Sequence, residues 1–207
     1  MKVILISHTP NPEIVCCAAA KLCHEPDDRS FEEMMHWLGD NPEHIRRVLE
    51  MVIKMGHTST LEHANFTFYV EGVSRALTHQ LVRHRIASYS QQSQRHVKMK
   101  EPTYVEPETV KTDEQKAMFD MAMANSWTVY NHLVASGVGS EDARFVLPNA
   151  CTTKIVITMN ARGLHNFFNL RLSKHAQWEI RAMAKEMAKL VCPVAPTIFE
   201  KFVKDLL

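Results

Sequence analysis

ANFTFYVEGVSRALTHQLVRHR, residues 64 to 85, changes its period midway. Ala64, Phe66, Phe68 and Val70 alternate with Asn65, Thr67, Tyr69 and Glu71, the period-two pattern of a half-buried strand. After Gly72 the period becomes helical, with Val73, Leu77 and Leu81 on one face and Arg75, His79 and Arg83 forming a second stripe. One strand therefore leads directly into a helix that ends on Arg83-His84-Arg85. Working outward, Val3 to Ile6 reads as a buried strand. A helix is expected with Asn11 as N-cap, Pro12 at its first position and Ile14, Ala18 and Leu22 following. Asn41-Pro42-Glu43 opens another, with Ile45, Val48, Leu49, Val52 and Ile53 on its apolar face and Gly56 as its stop. Residues 113–135 fit a long helix with Phe119, Met123, Trp127, Tyr130 and Val134 in phase. Thr152 to Thr158 reads as a β-branched strand, and Asn160 to Leu190 as one long helix. The elements lack a regular βαβ rhythm, so the expected class is α+β: a single domain, residues 1–207, with a small, mostly antiparallel sheet and long helices.

Composition narrows the function. Lys plus Arg is 24 against 23 Asp plus Glu, a formal net charge of +1, whereas a dedicated nucleic-acid binder is strongly basic. The positive charge is local instead. Between Glu71 and Glu101 no carboxylate occurs, yet Arg75, His79, Arg83, His84, Arg85, Arg95, His96, Lys98 and Lys100 all do. That suits a small anionic ligand. Cys16, Cys17, Cys23, Cys151 and Cys192 include no C-x-x-C pair, which predicts reduced thiols in a cytoplasmic protein. No run reaches the ~18 apolar residues of a membrane span, and no signal-peptide pattern is visible.

RHRIASYSQQSQR, residues 83 to 95, supplies the chemistry. Arginine presents a planar fork of donors matched to phosphate or carboxylate, and Ser and Gln add neutral hydrogen bonds. A solvated basic face is the bland alternative. Against it stand the absence of interspersed acids and the anchoring residues Ile86, Ala87 and Tyr89. GHTSTLEH, residues 56 to 63, lacks the H-E-x-x-H spacing of a metal site; its local reading is a turn capped by Ser59 or Thr60, with Glu62 completing a capping box. NARGLHNFFNLR, residues 160 to 171, sets Arg162, Asn166 and Asn169 on one side of a helix, where asparagine is intrinsically unfavourable. No glycine pattern resembles a dinucleotide fingerprint or a phosphate loop, and no nucleophile elbow is present. Ser93, with His84 and His96 nearby in sequence, could be a nucleophile or a hydrogen-bonding residue. The residues alone lead to a protein that binds a phosphorylated small molecule. A non-enzymatic nucleotide or RNA binder is the rival reading.

Arg83-His84-Arg85, seven residues and then Ser93, with Arg95 following, resembles the R-H-R-x7-S signature of the flavin-dependent thymidylate synthases. GHTSTLEH, Asn160-Ala161-Arg162 with Asn166, Asn169-Leu170-Arg171 and His175-Ala176-Gln177-Trp178-Glu179-Ile180-Arg181 resemble further segments of that family, in its order and spacing. The resemblance implies reductive methylation of dUMP to dTMP with 5,10-methylenetetrahydrofolate as carbon donor, NADPH as reductant and FAD as hydride carrier, in a homotetramer with shared sites. It implies flavin contacts from Ser59, Arg83, His84, Arg85, Gln91, Asn160, Arg162 and Asn166. It further implies dUMP contacts from Gln80, Arg83, Gln91, Gln92, Ser93, Gln94, Arg95, Arg144 and Arg171, with Arg171 activating the uracil and no metal. Ser93 then reads as a binding residue. Ser90 and Gln91 depart from the Asn and Glu of some members. A relative acting on another pyrimidine or carbon donor remains an alternative.

Overall fold

The computed structural model describes residues 1–24, 28–97 and 103–204. Lys98, Lys100 and Glu101 of the basic stretch lie outside the described residues. The chain runs β1 (Lys2–His8), α1 (Pro12–His24), α2 (Phe31–Asp40), α3 (Pro42–Lys54), a 3-10 turn (Thr58–His63), β2 (Asn65–Ser74), α4 (Arg75–Leu81) and β3 (Ser88–Gln91). It continues with α5 (Asp113–Ala135), α6 (Ser140–Ala143), β4 (Thr152–Asn160), α7 (Ala161–Arg171), α8 (Trp178–Val191) and the short α9 (Pro196–Phe199). The strands form one sheet in the order β1-β2-β4-β3. Its pairings are antiparallel: Thr9 N–H bonds the Asn65 carbonyl, Ala161 N–H bonds Ala64, and Arg75 N–H bonds Cys151. Register between β2 and β4 is marked by the Thr67 and Thr158 hydroxyls, 3.0 Å apart. The α+β class with a small antiparallel sheet is the one the sequence led us to expect.

The described residues group into two compact units: Met1–Lys2, Val70–Arg83 and Ser90–Ile155 form one, and Val3–Tyr69, His84–Tyr89 and Val156–Leu207 the other. In the first, Val70, Val73, Leu77, Leu81, Trp127, Tyr130 and Ile155 are buried. Here β2 runs to Ser74, further than its period suggested, and Gly72 within it adopts φ +70°. A Cβ at Gly72 would stand 3.3 Å from the Met1 nitrogen, so the close approach also requires glycine. Ser74 then caps α4 by accepting the Leu77 N–H.

The second unit is built around aromatic side chains. Phe66, Phe68, Phe167, Phe168 and Phe199 are fully buried, and Phe66–Phe199 and Phe168–Phe199 meet edge to face at 5.3 and 6.0 Å. Such pairs contribute about 0.5–1.5 kcal/mol each beyond burial. Helix α1 packs on α2, α3 and the 3-10 turn, while α7 packs on that turn and on α8.

Four expectations are corrected. The strand expected to be buried at Val3 to Ile6 lies at the edge of the sheet with Ile4 and Ile6 36% and 52% exposed. The single helix over 160–190 is two, because Leu172 closes α7 and the Gln177 side chain accepts the N–H groups of Glu179 and Ile180 to start α8. GHTSTLEH forms no capping box: His57 precedes the 3-10 turn without a side-chain cap, and Glu62 turns instead to Arg162. Asn11 lies at φ +46°, outside the extended conformation an N-cap takes, though Pro12 does open the helix.

Candidate functional site

The expected site residues fall into one group in each unit. In the first unit α4 ends at Leu81, so Arg83 stands just beyond its last turn and is exposed, with Gln80 half-buried on the helix. Strand β3 delivers Gln91, whose amide nitrogen donates to the hydroxyls of Thr78 and Thr153, both at 3.2 Å. The Thr78 hydroxyl spends its own hydrogen on the Arg75 carbonyl, so it can only accept from Gln91. This fixes the amide orientation, with Nε2 toward the threonines and Oε1 as the side facing away from them. Thr78 and Thr153, both buried, were missed by the sequence reading; they look like ordinary strand and helix residues.

Gln92 continues the sheet pairing through its N–H to the Lys154 carbonyl. The Ser93 oxygen accepts the backbone N–H groups of Arg95 and His96 at 3.1 and 3.3 Å. Ser93 thus shapes a turn, and its partners are backbone groups, not an imidazole base. That arrangement suits binding and lacks the hydrogen bond that activates a serine nucleophile. Arg95 pairs with Glu141 at 2.5 Å on the surface, and the Ser140 hydroxyl donates to the Arg95 carbonyl. An exposed pair of this kind is worth ~0–1 kcal/mol, so an anionic ligand can replace Glu141 at small cost. Gln94 is only 7% exposed, yet its amide nitrogen has no partner among the described residues. Arg75 Nη1 is in the same condition, and burial, followed by the positive charge of Arg144, pushes the Arg75 pKa down. Arg144 itself donates from Nε to the Glu141 carbonyl. Buried donors without acceptors cost ~1–3 kcal/mol each. Arg75 was visible in the acid-free stripe but was not placed among the site residues.

The second unit holds His84, Arg85, Ser59, Asn160, Arg162, Asn166 and Arg171. Asn160 caps α7 by accepting the Gly163 N–H at 2.8 Å. Gly163 is needed there, since a Cβ would stand 3.1 Å from the Ile86 carbonyl oxygen. Along α7, Ala161, Leu164, His165, Phe167 and Phe168 face inward, leaving Arg162, Asn166 and Asn169 exposed. Ser59 is exposed on the 3-10 turn that packs against this helix. Arg162 forms an ion pair with Glu62 of the same turn. At the end of α7, Arg171 Nε donates to His84 Nε2 at 2.9 Å. Burial, reinforced by the Arg171 charge, drives the His84 pKa down to about 4. Among the described residues, the side chains of Arg83 and Arg85 form no hydrogen bond or ion pair. Nor do three or more His, Cys, Asp or Glu side chains gather there where they could hold a metal ion. No helix among these residues is long and apolar enough to cross a membrane.

Residues 4–197 match the family described as "Thymidylate synthase complementing protein". A flavin-dependent thymidylate synthase of Geobacter sulfurreducens is 50% identical over 202 residues, covering 96% of this chain and 85% of the relative. That of Clostridium tetani is 48% identical over 217 residues, covering 97% and 86%. The Pyrococcus abyssi enzyme is 44% identical over 194 residues, covering 90% and 77%. Similarity of this extent along nearly the whole chain gives one assignment: this chain belongs to the thymidylate synthase complementing family, the flavin-dependent thymidylate synthases.

Proposed function

We propose that this protein converts dUMP to dTMP by reductive methylation with 5,10-methylenetetrahydrofolate, using FAD and NADPH. The observation that carries the reading is the pair of buried donors without acceptors among the described residues, Arg75 Nη1, which feels the charge of Arg144, and Gln94 Nε2, in a chain of this family. These donors fit a phosphate, and the unengaged Arg83 and Arg85 side chains fit the remaining anionic groups of nucleotide and flavin.

In this reading Gln80, Arg83, Gln91, Gln92, Ser93, Gln94, Arg95, Arg144 and Arg171 bind dUMP. Ser59, Arg83, His84, Arg85, Gln91, Asn160, Arg162 and Asn166 hold FAD. When bound and reduced by NADPH, the flavin would supply hydride for the transferred one-carbon unit. The chain's own work is electrostatic. Arg171 places a permanent positive charge beside the uracil and stabilises negative charge at its N3, raising the nucleophilicity of the ring. Gln91 Oε1, oriented by Thr78 and Thr153, offers an acceptor to a ligand N–H. No thiol is required. Burial raises the pKa of Cys16 to about 12 and also that of Cys151, so both remain protonated.

A homotetramer in the cytoplasm completes the proposal. Met118, Met121 and Val129 of α5 and the 83%-exposed Phe145 give the first unit an apolar surface suited to another copy. The test is dTMP formation from dUMP, methylenetetrahydrofolate and NADPH under low oxygen, with and without FAD. FAD-dependent dTMP is expected, with at least a hundredfold loss, as an order of magnitude, in Arg171→Ala. A flavin- and dUMP-binding protein that makes no dTMP would point to another pyrimidine or carbon donor.

A further inference from the structure

Two hydroxyls receive the Gln91 amide, and they are not equivalent. Thr78 of α4 and Thr153 of β4 are 1% and 3% exposed, and each accepts an Nε2 hydrogen of Gln91 at 3.2 Å. A threonine hydroxyl owns a single hydrogen. Thr78 has placed its own on the Arg75 carbonyl, at 2.9 Å, in the first turn of α4. Thr153 donates to no acceptor among the described residues, so its hydrogen can serve either end of an amide. Turning the Gln91 amide over would set Oε1 against a Thr78 oxygen with no hydrogen left to offer. Thr153 would only have to reverse its role.

We infer that Thr78 is the positioning residue of Gln91: by donating to the Arg75 carbonyl it admits only the nitrogen of the amide, and so leaves Oε1 as the acceptor for a ligand N–H or O–H. The inference rests on the reading of Gln91 as a contact for dUMP and FAD. It goes beyond that reading by giving one threonine the choice of polarity and the other only the second N–H. The two ends of an amide are nearly alike in shape, so a half-buried glutamine on β3 needs such a device to present one end reliably. The consequence is chemical selection. A ligand that offers a donor is matched, and one that offers a lone pair meets another lone pair. Uracil and the flavin ring both carry an imide N–H, the shared chemistry that this acceptor suits. The polarity originates in a backbone carbonyl, a group that does not titrate, so it is the same at every working pH.

The test keeps Gln91 and changes only the threonines. Thr78→Val and Thr153→Val each remove a hydroxyl at nearly constant volume, while Thr78→Ser keeps the hydroxyl and loses a methyl. Calorimetric titration of dUMP into protein with FAD in excess reads nucleotide affinity. Dilution of the FAD-loaded protein, followed by flavin fluorescence, reads cofactor affinity, and the two together show which ligand owns the donor. In Thr78→Val the native orientation would press an amide N–H onto a methyl group, so the amide turns its oxygen to Thr153 and its nitrogen to the ligand. Affinity for that ligand should fall by about 10–100-fold. In Thr153→Val, Thr78 still refuses the oxygen, and the loss should stay under about threefold. Thr78→Ser can repeat the bond to Arg75 and should bind within about threefold of the parent. A packing role alone predicts the reverse order, with valine tolerated and serine costly. Thermal unfolding checks each variant, and Thr78→Ala replaces Thr78→Val if that protein does not fold. The inference is overturned if Thr78→Val binds both ligands like the parent, if Thr153→Val loses as much, or if Thr78→Ser is no better than Thr78→Val. A parent that binds neither dUMP nor FAD removes the reading of the site first and this inference with it; equal behaviour of the two threonines removes only the role of Thr78.

Discussion

Helices α5 and α7 begin alike and end in opposite surroundings. Thr112 accepts the Gln115 N–H in a full capping box, and Asn160 accepts the Gly163 N–H, so each helix starts on a side-chain cap. Yet α7, with 11 residues, buries Ala161, Leu164, His165, Phe167 and Phe168. Over its 23 residues α5 buries only Trp127 and Tyr130 and leaves Met118 and Met121 about 60% exposed. Local chemistry decides where a helix starts; it does not decide what covers the helix. For α7 the cover comes from its own unit. On α5, Met118 and Met121 stay exposed, a face that the proposed homotetramer would cover.

The largest expected effect comes from breaking that contrast in the core. Phe168→Ala removes a ring that contacts Phe167, Phe199 and Phe202, and should destabilise the protein by about 3–5 kcal/mol at any protein concentration. Met121→Ala on α5 should cost about 0.5 kcal/mol or less in dilute protein. Its effect should grow with protein concentration as assembly covers the stripe. Denaturant midpoints over a hundredfold concentration range read both. A Met121→Ala loss independent of concentration would mean that α5 is covered within its own chain, and the contrast would disappear.

A smaller effect separates the helices by pH. α7 carries His165 inside, between Phe199 and Phe202, whereas His132 of α5 is exposed. Burial, with Lys201 adding to it, holds the His165 pKa down at about 4 against 6.5, and His84 is depressed to the same level. Between those values the unfolded chain binds protons that the folded chain refuses. Stability should therefore be full above about pH 6.5 and should fall as the pH drops toward 4, by on the order of 1–3 kcal/mol per histidine. Urea midpoints measured across this window test the sign. His165 donates from Nε2 to the Ile198 carbonyl, so His165→Gln, which keeps a donor and does not titrate, should flatten the curve.

How much of this could be read in the sequence follows from the range of each interaction. β2 and α4 were legible because their signals lie in adjacent residues: alternation up to Val70, then helical spacing on Leu77 and Leu81. α2 could also have been read, since Ser30 and Glu33 form a capping box at its start, and both residues are plain in the chain. β3 is hidden because Ser88–Gln91 carries no apolar alternation, and its residues signal only hydrogen-bonding capacity. The break after α7 was hidden because glutamine is an uncommon cap. Within the site, family resemblance supplied residue names but not partners. Glu62 and Arg162 are 100 positions apart and His84 and Arg171 87, so no local pattern announces either contact.

At the caps themselves the effects are also small, and under the proposed function α7 would carry a second duty that α5 does not. Thr112→Ala should cost about 1 kcal/mol and leave flavin binding unchanged, because that cap serves only its helix. Asn160 is divided. Its Oδ1 is spent on the Gly163 N–H, so only Nδ2 remains to donate to a ligand. Asn160→Ala should therefore lose about 1 kcal/mol of stability and weaken flavin binding together. Asn160→Asp separates the two. A carboxylate caps as well as an amide and is favoured by the positive end of the helix dipole, so stability should be kept or should rise by a few tenths of a kcal/mol. It has no N–H to donate, and its charge repels an anionic cofactor, so flavin affinity should fall all the same. Thermal unfolding of the apoprotein and flavin titration of the same samples read the two quantities separately. An Asp variant that binds flavin like the parent would show that Asn160 only caps α7, leaving Arg162 and Asn166 as the helix's contribution to the cofactor.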